Sequence, residues 1–160
     1  MPRNHKKSRN HQVRNLSTHL GQKLEKILEI LDKLATESAK GTPIVVEGTS
    51  DVNALRHLSI TGKIIPVKAS GKIFINMIDE VVNAGKSEII LLMDFDRRGK
   101  EWTKRIAKHL QDLRIKPNTL FWNGLLKLVG RDVKDIEGLA TYLETLKKKW
   151  SKEESTSNVR

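Results

Sequence analysis

Short apolar runs alternate with amphipathic helical patterns along most of this chain, and this alternation constrains its fold more than any other feature. The runs Ile44–Val46, Ile64–Val67 and Ile89–Met93 are rich in branched apolar residues and too short for helices, which is typical of buried strands. Strands that alternate with helices form parallel βαβ units with right-handed crossovers. We therefore expect an α/β fold with a Rossmann-like sheet of about four parallel strands flanked by helices.

A helical pattern follows each run, and a further one precedes the first strand. The predicted strands are Ile44–Val46, Ile64–Val67, Ile89–Met93 and Leu120–Trp122, and the predicted helices span about 51–59, 72–84, 100–113 and 135–148. Leucine and isoleucine recur at three- and four-residue spacing between Leu16 and Leu34, which predicts an extra N-terminal amphipathic helix over 16–38. This helix could pack on the sheet, on a second copy in a homodimer, or on another protein partner.

The composition indicates one globular domain with charged ends. Charged residues make up 31% and apolar residues 38% of the 160, which is the balance of a folded protein with its own core. We divide the chain into a basic flexible arm (1–14), the N-terminal helix and its linker (15–41), an α/β domain (42–146) and a polar, disordered tail (147–160). Cysteine is absent, which excludes disulfides, and residues 1–14 lack the apolar segment of a secretory signal, so we expect a cytoplasmic protein without membrane contact.

Three acidic residues follow predicted strands. Asp94 and Asp96 come after Ile89–Met93, and Glu47 comes directly after Ile44–Val46. Because the carboxyl ends of parallel strands meet at one edge of a sheet, these carboxylates should lie close together, where one of them should have a raised pKa. Hard oxygen ligands favour Mg²⁺, with Mn²⁺ as a substitute. The pattern predicts a metal site suited to phosphodiester chemistry.

Basic residues are concentrated beside these acids and at the chain ends. Residues 1–14 hold five basic residues and no acid, and residues 97–116 hold eight basic and two acidic, within a net charge of +11. A charged tail alone is as typical of solubility, but a basic segment beside a carboxylate pair favours nucleic acid, RNA or DNA, as the partner. The residues expected to contact phosphate are Arg97, Arg98, Lys100, Arg105, Lys68 and Lys72.

The two strand ends together resemble the Toprim family, the nucleotidyl-transfer and cleavage domain shared by topoisomerases and primases. The resemblance rests on Ile44–Asp51 (IVVEGTSD) and Leu91–Gly99 (LLMDFDRRG), because an apolar strand with Glu-Gly and a later strand with Asp-x-Asp-x-x-Gly is the signature order. It covers about 42–125, and Gly71 matches the family's glycine after the second strand.

The resemblance implies roles for individual residues. Asp94 and Asp96 would bind magnesium, and Glu47 would act as a general acid or base or as a further ligand. The residues expected to shape the turns around them are Gly48, Asp51, Gly71 and Gly99, of which Gly48 would allow a sharp turn or a ligand's approach and Asp51 would cap a helix.

The implied activity is magnesium-dependent chemistry on nucleic-acid phosphodiesters, with cleavage by a nuclease as the first expectation. One alternative is a non-catalytic nucleic-acid-binding Toprim subunit of a processing, repair or ribonucleoprotein complex, and a weaker one is primase-like nucleotidyl transfer. Many topoisomerases have a further acid where this chain has Arg97, Arg98 and Lys100, which leaves the number of metal ions open. Without cysteine for a zinc ribbon, the chain resembles small stand-alone Toprim proteins of archaea and bacteria and the catalytic domain of the 5S ribosomal RNA maturase.

Overall fold

The computed structural model describes residues 18–68 and 74–157, and within them it contains four strands and six helices. The elements in chain order are α1 (Thr18–Ala39), β1 (Ile44–Val46), α2 (Thr49–His57), β2 (Ile64–Pro66), α3 (Phe74–Asn83), β3 (Glu88–Leu92), α4 (Arg97–Asp112), β4 (Lys116–Asn118), α5 (Leu120–Val129) and α6 (Ile136–Ser157). The predicted basic arm, 1–14, lies outside the described residues.

The four strands form one parallel sheet in the order β2-β1-β3-β4. Ile44 of β1 pairs with Ile64 of β2 on one side and with Ile90 of β3 on the other. Every residue of β1 is buried, as are the last four residues of β3, so the two central strands are covered on both faces. The predicted α/β fold with a Rossmann-like parallel sheet is confirmed.

Successive residues of the central strands face two different layers of helices. Val45 and Leu91 pack into a core with α3 and α4, whereas Val46 and Leu92 pack into a core with α1, α2, α5 and α6. This period-two division follows from the pleat of the strands. The sheet thereby holds β1 and β3 firmly side by side, and their carboxyl ends open onto the same edge.

The N-terminal helix packs within its own chain. Its buried residues recur at three- and four-residue intervals and contact α5 and α6; they are Leu24, Ile27, Leu31 and Leu34. Of the three predicted environments for this helix, the structure therefore shows packing onto the same molecule. The chain leaves the helix through Gly41, whose φ of +104° favours glycine.

The fourth strand was predicted at the wrong residues. Leu120–Trp122 forms the first turn of α5, and the strand at the sheet edge is Lys116–Asn118, where a proline is tolerated. The Oδ1 of Asn118 accepts a hydrogen bond from the Leu120 amide at 3.0 Å, which satisfies one N–H group at the helix start. The buried residues of α5 follow helical spacing: Trp122, Leu125 and Val129.

The C-terminal helix extends further than predicted. Residues 147–157, expected as part of a disordered tail, continue α6 as far as Ser157. Leu146 is buried, and the half-buried Trp150 lies where a side chain at Gly21 of α1 would stand, so packing holds the helix beyond residue 148. No helix in the described part of the chain has both the length and the apolarity required to cross a membrane.

Candidate functional site

Glu47 and Asp94 meet at the carboxyl edge of the two central strands. Glu47 directly follows β1 and is only 5% exposed. Its Oε2 accepts a hydrogen bond from the backbone amide of Asp94 at 3.2 Å, and its Oε1 accepts one from the Lys68 Nζ at 3.2 Å. This buried carboxylate is therefore held in place by the backbone of the neighbouring strand end and by one cation.

Asp94 is the acid whose protonation is most altered by the fold. Burial raises its pKa to about 8, and the negative charges of Glu47, Asp51 and Asp135 add to that rise. Its Oδ1 is buried and has no hydrogen-bond partner among the described residues. At neutral pH the side chain therefore retains a proton, and Oδ1 remains an unsatisfied oxygen beside a carboxylate.

Asp96, the third predicted acid, is positioned differently from Glu47 and Asp94. Asp96 is exposed, and its Oδ1 accepts a hydrogen bond from the Gly99 amide at 2.7 Å, so Asp96 caps the N-terminus of α4. Within residues 18–68 and 74–157, no three Asp, Glu or His side chains converge closely enough to hold a metal ion. The structure thus brings together Glu47 and Asp94 and places Asp96 at the exposed margin.

The oxygen donors nevertheless suit a hard divalent cation. The buried Asp94 Oδ1, which lacks a partner in the described part of the chain and lies next to a second carboxylate, is an oxygen that either a proton or a cation can satisfy. Because binding a metal requires the carboxylate form, a cation would displace the proton from Asp94. The residues present therefore fit magnesium in donor chemistry.

Two glycines frame the site in different ways. The backbone of Gly99 lies so close to Asp94 that a Cβ there would overlap the Asp94 carbonyl oxygen, so only glycine permits this approach of α4 to the strand end. The chain bends at Glu47 and Gly48 between β1 and α2, but the φ of Gly48, −142°, is an extended conformation that does not require glycine. A Cβ at Gly48 would meet nothing nearer than the Asp51 Oδ2 at 4.0 Å, so this position leaves open space beside the acids.

Asp51 joins α2 to α6. It is buried, and its carboxylate accepts hydrogen bonds from the amides of Gly48 at 3.1 Å and Glu137 at 3.3 Å. Burial raises its pKa, while the two amides oppose that rise and the charges of Asp135 and Glu47 add to it. Asp51 therefore has the helix-start contact expected of it and a second, long-range contact that the sequence did not indicate.

Asp135 is an additional acid of the site that the sequence-based prediction missed. Its Oδ1 accepts a hydrogen bond from the Gly138 amide at 2.6 Å at the start of α6. The Lys134 carbonyl accepts a hydrogen bond from the Phe95 amide at 2.6 Å, which ties this loop to the Asp94 turn. A helix-start role could have been inferred from the position before Ile136, but the proximity to Asp94 arises only in the folded chain.

Only some of the residues predicted to contact phosphate lie together at the start of α4. Arg97, Arg98 and Lys100 are exposed in the first turn of α4, beside the amide groups that attract anions. Lys68, in contrast, is turned onto Glu47. Arg105 is exposed further along α4. Lys72 and Gly71 lie outside the described residues.

Comparison with known proteins identifies the family. The model of the Toprim domain matches residues 42–121, half of the chain. This chain belongs to the Toprim family. The resemblance of the two strand ends is thereby confirmed, and Toprim membership associates the chain with metal-dependent, nucleic-acid-related function in general, and with magnesium as the usual metal.

Several proteins are similar to this Toprim protein over most of its length. The UPF0292 protein MJ1624 of Methanocaldococcus jannaschii is 37% identical over 119 residues, which cover 74% of this chain and 91% of that protein. The UPF0292 protein Mbar_A0484 of Methanosarcina barkeri is 32% identical over 128 residues, with 80% and 87% covered. A solved structure, a putative protein from Aquifex aeolicus, superposes with a TM-score of 0.58 at 28% identity over 68% of this chain and 94% of that one. The high coverage of these relatives agrees with the resemblance to small stand-alone Toprim proteins.

Proposed function

We propose that this Toprim protein cleaves phosphodiester bonds of RNA or DNA in a magnesium-dependent reaction. The observation that carries the proposal is the pair of buried Glu47 and half-buried Asp94, whose Oδ1 has no hydrogen-bond partner among the described residues, at a sheet edge next to the basic N-terminus of α4. In an acid pair with a purely structural role, each buried oxygen would be expected to have a hydrogen-bond partner. In a site for a cation, an oxygen is instead left for the ion.

In this proposal, each side chain of the site has a separate role. Asp94 and Glu47 would hold magnesium, with Asp96 contributing from the exposed margin. The ion, when bound, supplies positive charge to the phosphate oxygens. Glu47 orients the Asp94 backbone through its hydrogen bond. Arg97, Arg98 and the first amides of α4 would attract the phosphate.

The test is cleavage of labelled RNA, DNA and structured substrates with magnesium or manganese. We expect products from the natural chain and a loss of at least about 100-fold in Glu47→Gln and in Asp94→Asn, because each removes an acid from the reacting site. The matched controls are Asp79→Asn and Glu80→Gln, exposed acids on α3, which should leave the rate unchanged. A natural chain that is inert on every substrate would contradict the proposal.

One contact favours the second candidate, a nucleic-acid-binding subunit without turnover. Lys68 already supplies a positive charge to Glu47, with 3.2 Å between the Lys68 Nζ and the Glu47 Oε1. If this ion pair replaces the metal, nucleic acid should bind equally well in magnesium and in EDTA, and Asp94→Asn should bind as the natural chain does.

The remaining alternative, nucleotidyl transfer, is tested by adding nucleoside triphosphates to the cleavage reactions. Cleavage shortens the labelled nucleic acid, whereas nucleotidyl transfer lengthens it.

A further inference from the structure

One face of α4 presents basic and aromatic side chains in alternation. We call this set the Trp102 stripe; it consists of Arg98, Trp102, Arg105 and His109. Spacings of four, three and four residues place these side chains on one side of the helix. The stripe begins two residues after Asp96 and extends about 16 Å along the helix axis, away from the carboxylates.

Phe74 of α3 holds the aromatic part of the stripe in a defined orientation. Its ring centre lies 5.8 Å from that of Trp102 at an interplanar angle of 40°, and 4.8 Å from that of His109 in an edge-on arrangement. The Arg105 guanidinium carbon lies 5.6 Å from the Phe74 ring centre and 5.8 Å from that of Trp102. These contacts keep a tryptophan ring and a cation adjacent on the surface.

The stripe lies beside the buried side of α4, and Trp102 is its only member that packs partly against the core. Ile106 and Leu110 fill the buried side of the helix and are completely inaccessible, while Trp102 is half-buried and the other three members are exposed. α4 carries six Arg and Lys against two acidic residues. Neither Arg98 nor Arg105 forms an ion pair with an acid in the described part of the chain. A positive surface with a partly open aromatic ring is complementary to a negatively charged strand with accessible bases.

We propose that the Trp102 stripe binds single-stranded nucleic acid, with an unpaired base stacked on Trp102 and phosphates bound by Arg98 and Arg105. Base faces are available for stacking only where a strand is unpaired, so the stripe would discriminate against a duplex. The inference rests on the proposed function for its ligand class, and it adds that the segment next to the cleavage site is single-stranded.

The experiment compares binding of short labelled single strands and of matching duplexes, in EDTA to prevent metal-dependent cleavage. Trp102→Leu keeps an apolar side chain but removes the stacking surface, and should weaken single-strand binding about tenfold while changing duplex binding less than about twofold. Trp102→Phe retains an aromatic face and should stay within about threefold of the natural chain. Lys104→Ala, which removes an exposed charge outside the stripe, should weaken both ligands equally.

Circular dichroism and thermal unfolding of each variant establish that the fold is kept, and Arg105→Ala provides a surface variant if Trp102→Leu unfolds. Arg105→Ala should also weaken single-strand binding more than duplex binding. Unchanged single-strand affinity in both variants, or equal losses for the two ligands, would overturn the inference. Absence of cleavage with a preserved Trp102 effect would refute only the proposed function, whereas Glu47-dependent cleavage without a Trp102 effect would refute only this inference.

Discussion

At the level of single residues, Asp94 is the acid of the candidate site whose protonation the fold alters most. Burial and three neighbouring acids disfavour the charged form, and Lys68 reaches Glu47 rather than Asp94. The folded protein therefore keeps an energetically unfavourable carboxyl group just beyond the end of β3, one of the two central strands. Such a cost is typical of a site that a ligand completes.

The raised pKa of Asp94 predicts how stability varies with pH. The unfolded carboxyl group loses its proton near pH 3.8 and the folded one near pH 8, so between these values the folded state binds more protons and the free energy of unfolding falls as pH rises. Asp94→Asn removes this fall and should stabilise the metal-free protein at pH 9 by about 1–3 kcal/mol, because one pKa unit corresponds to about 1.4 kcal/mol and the site is partly open to solvent. Urea unfolding in EDTA at pH 5, 7 and 9 measures the difference.

Asp79→Asn provides the control for this comparison, because Asp79 is exposed on α3. It should leave the pH dependence of the natural chain intact. A decline of equal slope in Asp94→Asn and in the natural chain would show that another group causes it.

At the level of elements, the sequence predicted those parts of the site that depend on local patterns. Glu47 and Asp94 were placed correctly because each follows an apolar run that becomes a buried parallel strand. The start of α5 was predicted wrongly because a run of three apolar residues has no readable period, and the hydrogen bond from the Leu120 amide to the Asn118 side chain forms only in the folded turn. Asp135 was missed because a loop from a distant part of the chain brings it near Asp94.

The first helix offers a test of its role in the fold. Ile27 is fully buried between α1 and the core, whereas its neighbour Leu28 is 39% exposed. Ile27→Ala should lower the free energy of unfolding by about 2–5 kcal/mol because it leaves a cavity, and Leu28→Ala by less than about 1 kcal/mol. Urea unfolding of both variants measures this, and similar losses would indicate that α1 does not pack on the core as described.

At the level of the whole molecule, the sheet separates two layers of helices, for which we propose different roles. α3 and α4 cover one face, and α4 carries the Trp102 stripe, while α1, α2, α5 and α6 form the larger core on the other face. Because the candidate site lies at the edge between these layers, the single strand that we propose would reach the carboxylates along α4 without contacting the larger core. The positive charge that matters for binding should therefore be local to α4, even though the entire chain carries +11.

The salt dependence of nucleic-acid binding shows whether affinity depends on the local charges of α4 or on the net charge of the whole protein. Each phosphate contact contributes about 0.7 to the slope of log affinity against log salt for a single strand, since binding releases counterions. Arg98→Ala should reduce the magnitude of the slope by about that amount, whereas Lys127→Ala, an exposed charge on α5 across the sheet, should leave it unchanged although the net charge falls equally. Titration of a labelled single strand at four or more salt concentrations gives both slopes. Equal reductions in the two variants would mean that binding follows the overall charge of the protein and not the surface of α4.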